Sequence, residues 1–222
     1  MNEAVNPRRD VKTRNAGWAQ SFAVKLSASG IRPNSISMLS IVFALGAALA
    51  LVFSAKVSFP YNSILLVIAA IAIQFRLLCN LFDGMVAVEG GKSTPSGILF
   101  NDFPDRIADP LILVCAGYAA RDIPYAVELG WLSGCLAVFT AYVRVLAGAS
   151  GAEQLFLGPM AKQHRLAVIT LAIVAGAVAS KWDREGIILF GALALISAGC
   201  VVTAVRRLMH AVIELEQNEK QG

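Results

Sequence analysis

Asp83 and Gly84 lie at the end of a long apolar run and open a spaced set of polar residues. Asn80, Asp83, Gly84 and Ala87 come first; Gly97, Asn101, Asp102, Asp105, Arg106 and Asp109 follow after a short interval. Ionisable side chains within apolar segments are costly and usually line a site. Clustered carboxylate and amide oxygens suit hard divalent cations such as Mg2+ or Mn2+, and a carboxylate held near such a cation can also accept a proton.

The spacing is helical. Arg76, Asn80 and Asp83 fall four and three residues apart, so they share one helix face. Gly84 and Ala87 continue that face with almost no side chain, which lets a ligand or another backbone approach closely. Gly97, Asn101, Asp105 and Asp109 repeat every four residues along a second helix. Asp102 and Arg106 form a neighbouring pair that can neutralise itself. If the two helices are antiparallel neighbours joined by a short loop, Asn80, Asp83, Asn101 and Asp105 converge.

The elements that must hold these residues are membrane spans. The 222-residue chain is 57% hydrophobic and 15% charged, with mean hydropathy +0.65; soluble domains carry about 25% charge. The apolar residues gather in runs near spanning length, predicting six transmembrane helices at about 35–55, 62–82, 98–120, 124–147, 163–180 and 186–205. The expected architecture is an all-α integral membrane bundle, residues 34–208. A cytoplasmic arm, 1–33, precedes it and a solvated tail, 209–222, follows. Within the arm, Trp18, Phe22 and Leu26 at four-residue spacing predict an amphipathic helix over 11–29 lying in the membrane interface. Residues 1–33 are polar and basic and carry no apolar stretch of the signal-peptide kind. Pro104 and Pro110 fall inside the third span, where each removes a backbone hydrogen bond and favours a polar cavity at that depth.

Thirteen of the 19 Lys and Arg residues fall on the side of the N-terminal arm, four fall on the other side, and Arg76 and Arg106 lie within spans. That asymmetry places both termini and the Asp83 end of span two in the cytoplasm, as in a multi-pass protein of a bacterial inner membrane. The net charge of +4 then reflects orientation and attraction to anionic membrane lipids; no nucleic-acid motif is present. Cys79, Cys115, Cys135 and Cys200 sit in apolar stretches without CxxC spacing and read as small buried hydrophobes.

The pattern resembles the signature of the CDP-alcohol phosphatidyltransferases: Asp, two residues, Asp-Gly, two residues, Ala-Arg, eight residues, Gly, three residues, Asp, three residues, Asp. Asp83, Gly84, Ala87, Gly97 and Asp105 match it in type and spacing. The Pro33-Asn34 start of span one, the six-span plan and the basic stretch after span four extend the likeness. The resemblance implies an enzyme of phospholipid biosynthesis that transfers a phosphatidyl group from a CDP-alcohol, such as CDP-diacylglycerol, to a small hydroxyl acceptor and releases CMP. It implies one or two Mg2+ or Mn2+ ions held by Asn80, Asp83, Asn101 and Asp105, with Asp102 and Asp109 as further carboxylates. It also implies catalysis by Asp83 and by Asp105 as base, a CDP-alcohol site at Gly84, Ala87 and Gly97, to which the position of Arg76 on the same helix face adds that residue, and a homodimer. Arg144, Lys162 and Arg165 fall where the family binds phosphorylated acceptors; positive-inside loop charge is the other reading of this group.

Three positions depart from the pattern. Asn80 and Asn101 stand at signature Asp positions, and Val88 replaces the Arg. Two negative charges are lost, and Arg76, one turn from Asn80, brings a cation that can replace part of the missing metal charge. Two other functions compete with this one. A relative that has lost metal binding would bind lipid or a partner. A transporter built on the buried carboxylates would need polar groups near the midplane from both halves, which the last three spans do not supply.

Overall fold

The computed structural model describes residues 16–89, 96–156 and 158–219. The basic residues between Arg8 and Arg14, and the expected turn at 90–95 with Lys92, lie outside the described residues. Among the described residues the only regular elements are helices: α1 Gly17–Ala28, α2 Pro33–Ser54, α3 Tyr61–Glu89, α4 Gly97–Ala119, α5 Ala126–Ala149, α6 Lys162–Ala179 and α7 Glu185–Glu219, with a 3-10 turn Ser180–Trp182 after α6. Five helices, α2, α3, α5, α6 with its following turn, and α7, are long and apolar enough to cross a membrane. α4 has the length, 23 residues, but carries Asp102, Asp105, Arg106 and Asp109. The molecule is an integral membrane helical bundle.

The helices close a ring. α2 packs on α3, α3 on α6, α6 on α7, α7 on α5, α5 on α4, and α4 back on α2. The sequence expectation of α3 and α4 as direct neighbours is therefore corrected: α2 lies between them, and they meet at only a few points inside the ring. Small side chains explain the placement. α2 buries Ala44, Ala47, Ala48 and Ala50, and small residues let helices approach closely in lipid, where hydrophobicity gives no preference for helix over lipid. The outside of the ring is apolar, with Val42, Leu49, Ile68, Leu171 and Leu195 among its exposed side chains.

α5 carries Gly130 and Gly134 four residues apart, facing α4. A Cβ on Gly130 would lie 3.0 Å from Gly117 Cα, and one on Gly134 would lie 3.3 Å from Pro110. α4 runs unbroken through both of its prolines, and the second of them packs on this glycine seam.

The element ends also differ from expectation. α3 continues to Glu89, so Asp83, Gly84 and Ala87 lie on its last turns instead of beyond it. α7 runs through the expected solvated tail to Glu219. Ala211 packs there with Ala147 and Ala152, and Glu214 accepts the Glu153 backbone N–H at 3.0 Å. α1 buries Ala19 and Ala23, not the Trp18 and Phe22 face. Trp18 is 57% exposed; both aromatic rings border Phe82 of α3, with centroids at 6.2 and 4.7 Å.

Candidate active site

Three helices bring ionisable groups into the ring. Arg76 of α3 is 0% exposed, and its Nη2 donates to Asp105 Oδ1 at 2.8 Å and to Asp109 Oδ1 at 2.7 Å, both on α4. α6 contributes from the opposite side. Lys162 Nζ donates to Asp105 Oδ2, and Arg165 Nη2 donates to Asp109 Oδ2 at 2.8 Å. Arg165 is buried as well, tied to Met160 O and Thr140 Oγ1 at 3.1 and 3.3 Å. The four-residue spacing on α4 puts Asp105 and Asp109 on one face, and the ring turns that face toward α3 and α6. Isolated buried charges would be prohibitive; here each carboxylate meets two cations.

One turn from Arg76, Asn80 Nδ2 donates to Asp105 Oδ1 at 3.1 Å. Asp83 follows on the same face, 2% exposed, and its Oδ2 accepts from Ser37 Oγ of α2 at 2.6 Å. Ser37 was not singled out from the sequence. It is one of three serines in the first turns of α2, and only α2's position beside α3 makes it a partner of Asp83.

Asn80 Oδ1 and Asp83 Oδ1 are buried oxygens with no hydrogen-bond partner. Buried acceptors are ordinarily satisfied, so this pair is suited to a hard cation with oxygen ligands. Among the described residues, no three carboxylates, imidazoles or thiolates close on one point.

The remaining predicted residues separate by position. Asn101 is exposed. Asp102 faces away from the cluster and pairs with Arg106 at 2.7 Å and Arg144 at 3.0 Å, while Arg144 lies over the Phe156 ring at 4.8 Å. Gly84 and Ala87 are half-buried on the last turns of α3, Val88 is exposed, and Gly97 is the first residue of α4. The three cations grouped as acceptor ligands thus occupy three settings: Arg165 is buried, Lys162 is partly exposed at the rim of the cluster, and Arg144 is bound to Asp102.

Neither a protein-family model nor a curated protein sequence matches the chain. Solved structures do match its fold. Phosphatidylinositol phosphate synthase of Mycobacterium tuberculosis with CDP-DAG bound aligns with TM-score 0.72 at 22% identity, covering 88% of this chain and 94% of that one. The same synthase in complex with manganese and citrate aligns with TM-score 0.71 at 21% identity, covering 87% and 88%. Its apo form gives TM-score 0.66 at 23% identity over 86% and 94%. Near-complete coverage of both chains makes the helical ring of this protein the fold of that synthase.

Proposed function

We propose that this chain transfers a phosphatidyl group from a CDP-alcohol, CDP-diacylglycerol in the first instance, to a small hydroxyl acceptor and releases CMP. The observation that carries the proposal is that Arg76 and Asn80 of α3 meet Asp105 and Asp109 of α4, with Asp83 one turn further along α3, in the fold of a synthase solved with CDP-DAG. The acceptor oxygen attacks the β-phosphorus, the bond to the bridging oxygen breaks, and CMP leaves with that oxygen. The acceptor proton passes to Asp105. Its Oδ1 is held by Arg76 and Asn80, so Oδ2, covered only by the partly exposed Lys162, is the proton acceptor. A flexible lysine at the rim can swing to an anionic acceptor and uncover it.

Asn80 and Asp83 would hold a divalent cation, Mg2+ or Mn2+; a divalent ion is supported by the synthase having been solved with manganese. When bound, the ion neutralises the diphosphate and stabilises an in-line displacement. Asn101 is exposed, Asp102 is paired with Arg106 and Arg144, and both oxygens of Asp109 are taken by Arg76 and Arg165, so Asn80 and Asp83 are the ligands on offer. Gly84, Ala87 and Gly97 leave room for the nucleotide, and Lys162, at the rim of the cluster, faces the acceptor. α4 is the sixth span of a homodimer in a bacterial inner membrane, with both termini and the cluster cytoplasmic. The arm 1–33, the bundle 34–208 and the segment 209–222, most of which prolongs α7, divide the chain.

The test is incubation of membranes containing the protein with labelled CDP-diacylglycerol and a panel of alcohols, following CMP release. Turnover is expected with at least one acceptor, and Asp83→Asn or Asp105→Asn is expected to reduce it at least a hundredfold (about 3 kcal/mol in barrier). A silent wild-type protein across the panel would favour a lipid- or partner-binding role.

A further inference from the structure

The oxygen acceptors of the cluster can be followed one by one. Asp105 Oδ1 receives Arg76 Nη2 and Asn80 Nδ2, and its Oδ2 receives Lys162. Asp109 Oδ1 receives the same Arg76 Nη2, and its Oδ2 receives Arg165. All four oxygens of Asp105 and Asp109 are therefore covered by protein N–H donors. The oxygens left buried and without a partner are Asn80 Oδ1 and Asp83 Oδ1, both on α3. The charges follow the same division. Arg76, Lys162 and Arg165 balance Asp83, Asp105 and Asp109 before any ion enters. Arg76 is wholly buried, bridges two carboxylates through one nitrogen, and leaves its Nε and Nη1 without partners. A cation joining two carboxylates from adjacent turns of one helix neutralises and positions them, as a metal ion held between them would.

We propose that Arg76 is a built-in cation standing in for a second metal ion, so that this chain takes one divalent ion, at Asn80 and Asp83, and not two. The proposal rests on the metal assignment made above. It accounts for Asn80: with Arg76 fixed on Asp105 and Asp109, a first-position carboxylate and a second ion become alternatives to the arginine. Arg76 acts through the carboxylates it positions and has no exposed surface to offer a substrate.

Mn2+ titration of the purified full-length protein, followed by electron paramagnetic resonance, tests this. Wild type is expected to bind one Mn2+ per chain with the spectrum of an isolated ion, and Asp83→Asn to weaken binding at least tenfold. Arg76→Lys is expected to keep one ion. Arg76→Met combined with Asn80→Asp frees Asp105 and Asp109 and restores a carboxylate, and is expected to bind two ions with the broadened spectrum of a coupled pair. Two ions in wild type, none in wild type, or one in a folded double variant each overturn the proposal. If the double variant does not fold, the wild-type count decides alone. The CMP-release assay separates the two readings. One ion without turnover leaves the proposal standing and removes the function; turnover with two ions does the reverse.

Discussion

Ser37 illustrates how much one hydroxyl can contribute inside a membrane protein. Its Oγ donates to Asp83 Oδ2 at 2.6 Å in a buried setting, which leaves Oδ1 as the free oxygen facing Asn80's side of the helix. Hydrogen bonds to a charged group contribute about 1.5–3 kcal/mol. Ser37→Ala is expected to lower stability by about that amount, measured by denaturant unfolding in detergent, and to weaken Mn2+ binding. Ser37→Thr keeps the hydroxyl and should restore both; an alanine variant with unaltered stability and Mn2+ affinity would remove the positioning role. The carboxylates themselves were readable from the chain, because three- and four-residue spacing reports a helix face whatever the tertiary fold. Arg76 was readable as an anomaly, one turn from Asn80. Its bridging of Asp105 and Asp109 was not, because sequence gives no distance between α3 and α4. Lys162 and Arg165 were recognised as a basic group and then divided by burial: three residues along α6 is enough to turn one toward the rim and the other into the core.

Helix packing decided what spacing could not. Sequential helices usually pair, and that tendency suggests α3 against α4; the alanine-rich α2 takes the place between them instead. The α4–α5 contact had a sequence signal that the polar motif overshadowed: Gly130 and Gly134, the small-xxx-small spacing of close helix crossings. α4 carries Asp105 and Asp109, so this seam sets where both carboxylates stand. A Cβ on Gly130 would meet Gly117 Cα at 3.0 Å and the Leu113 and Val114 carbonyl oxygens at 3.1 Å, all backbone atoms unable to rotate aside. Gly130→Val is expected to destabilise the bundle by about 1–3 kcal/mol, as overpacking does, and to reduce CMP release as α4 shifts. Gly46 of α2 has nothing within 4 Å of its Cβ position, so Gly46→Val is the matched control and should leave both readouts near wild type. Equal effects of the two substitutions would exclude close packing as the cause. The late ends of α3 and α7 were missed because charged residues at 83, 89 and beyond 205 suggest an exit from lipid. A helix can leave the hydrocarbon layer and continue, and 35 residues in α7 rise about 52 Å against a layer of about 30 Å.

The ring has two chemically distinct ends, and contacts identify which loops belong to each. Arg121 donates to the Ala55 carbonyl at 2.8 Å, and Asn62 donates to Glu185 Oε1 at 3.0 Å, so the α2–α3, α4–α5 and α6–α7 connections gather at one end. Ser37 on Asp83 and Lys162 on Asp105 mark the other. Lys56, Arg121, Lys181 and Arg184 are the cations of the first end, whereas among the described residues Lys25, Arg32, Arg144, Lys162, Arg165, Arg206 and Arg207 lie toward the cluster end. The proposed orientation, following the positive-inside rule, puts the cluster end in the cytoplasm, where a water-soluble nucleotide product such as CMP would be released. Single cysteines in a variant lacking Cys79, Cys115, Cys135 and Cys200 report this directly, because Ser58 and Ser150 are exposed at opposite ends. With a membrane-impermeant maleimide, Ser58→Cys is expected to label in intact spheroplasts, and Ser150→Cys only after the membrane is opened. The reverse pattern would place the cluster on the outer face and, with it, exclude a cytoplasmic nucleotide as the donor reached from this side.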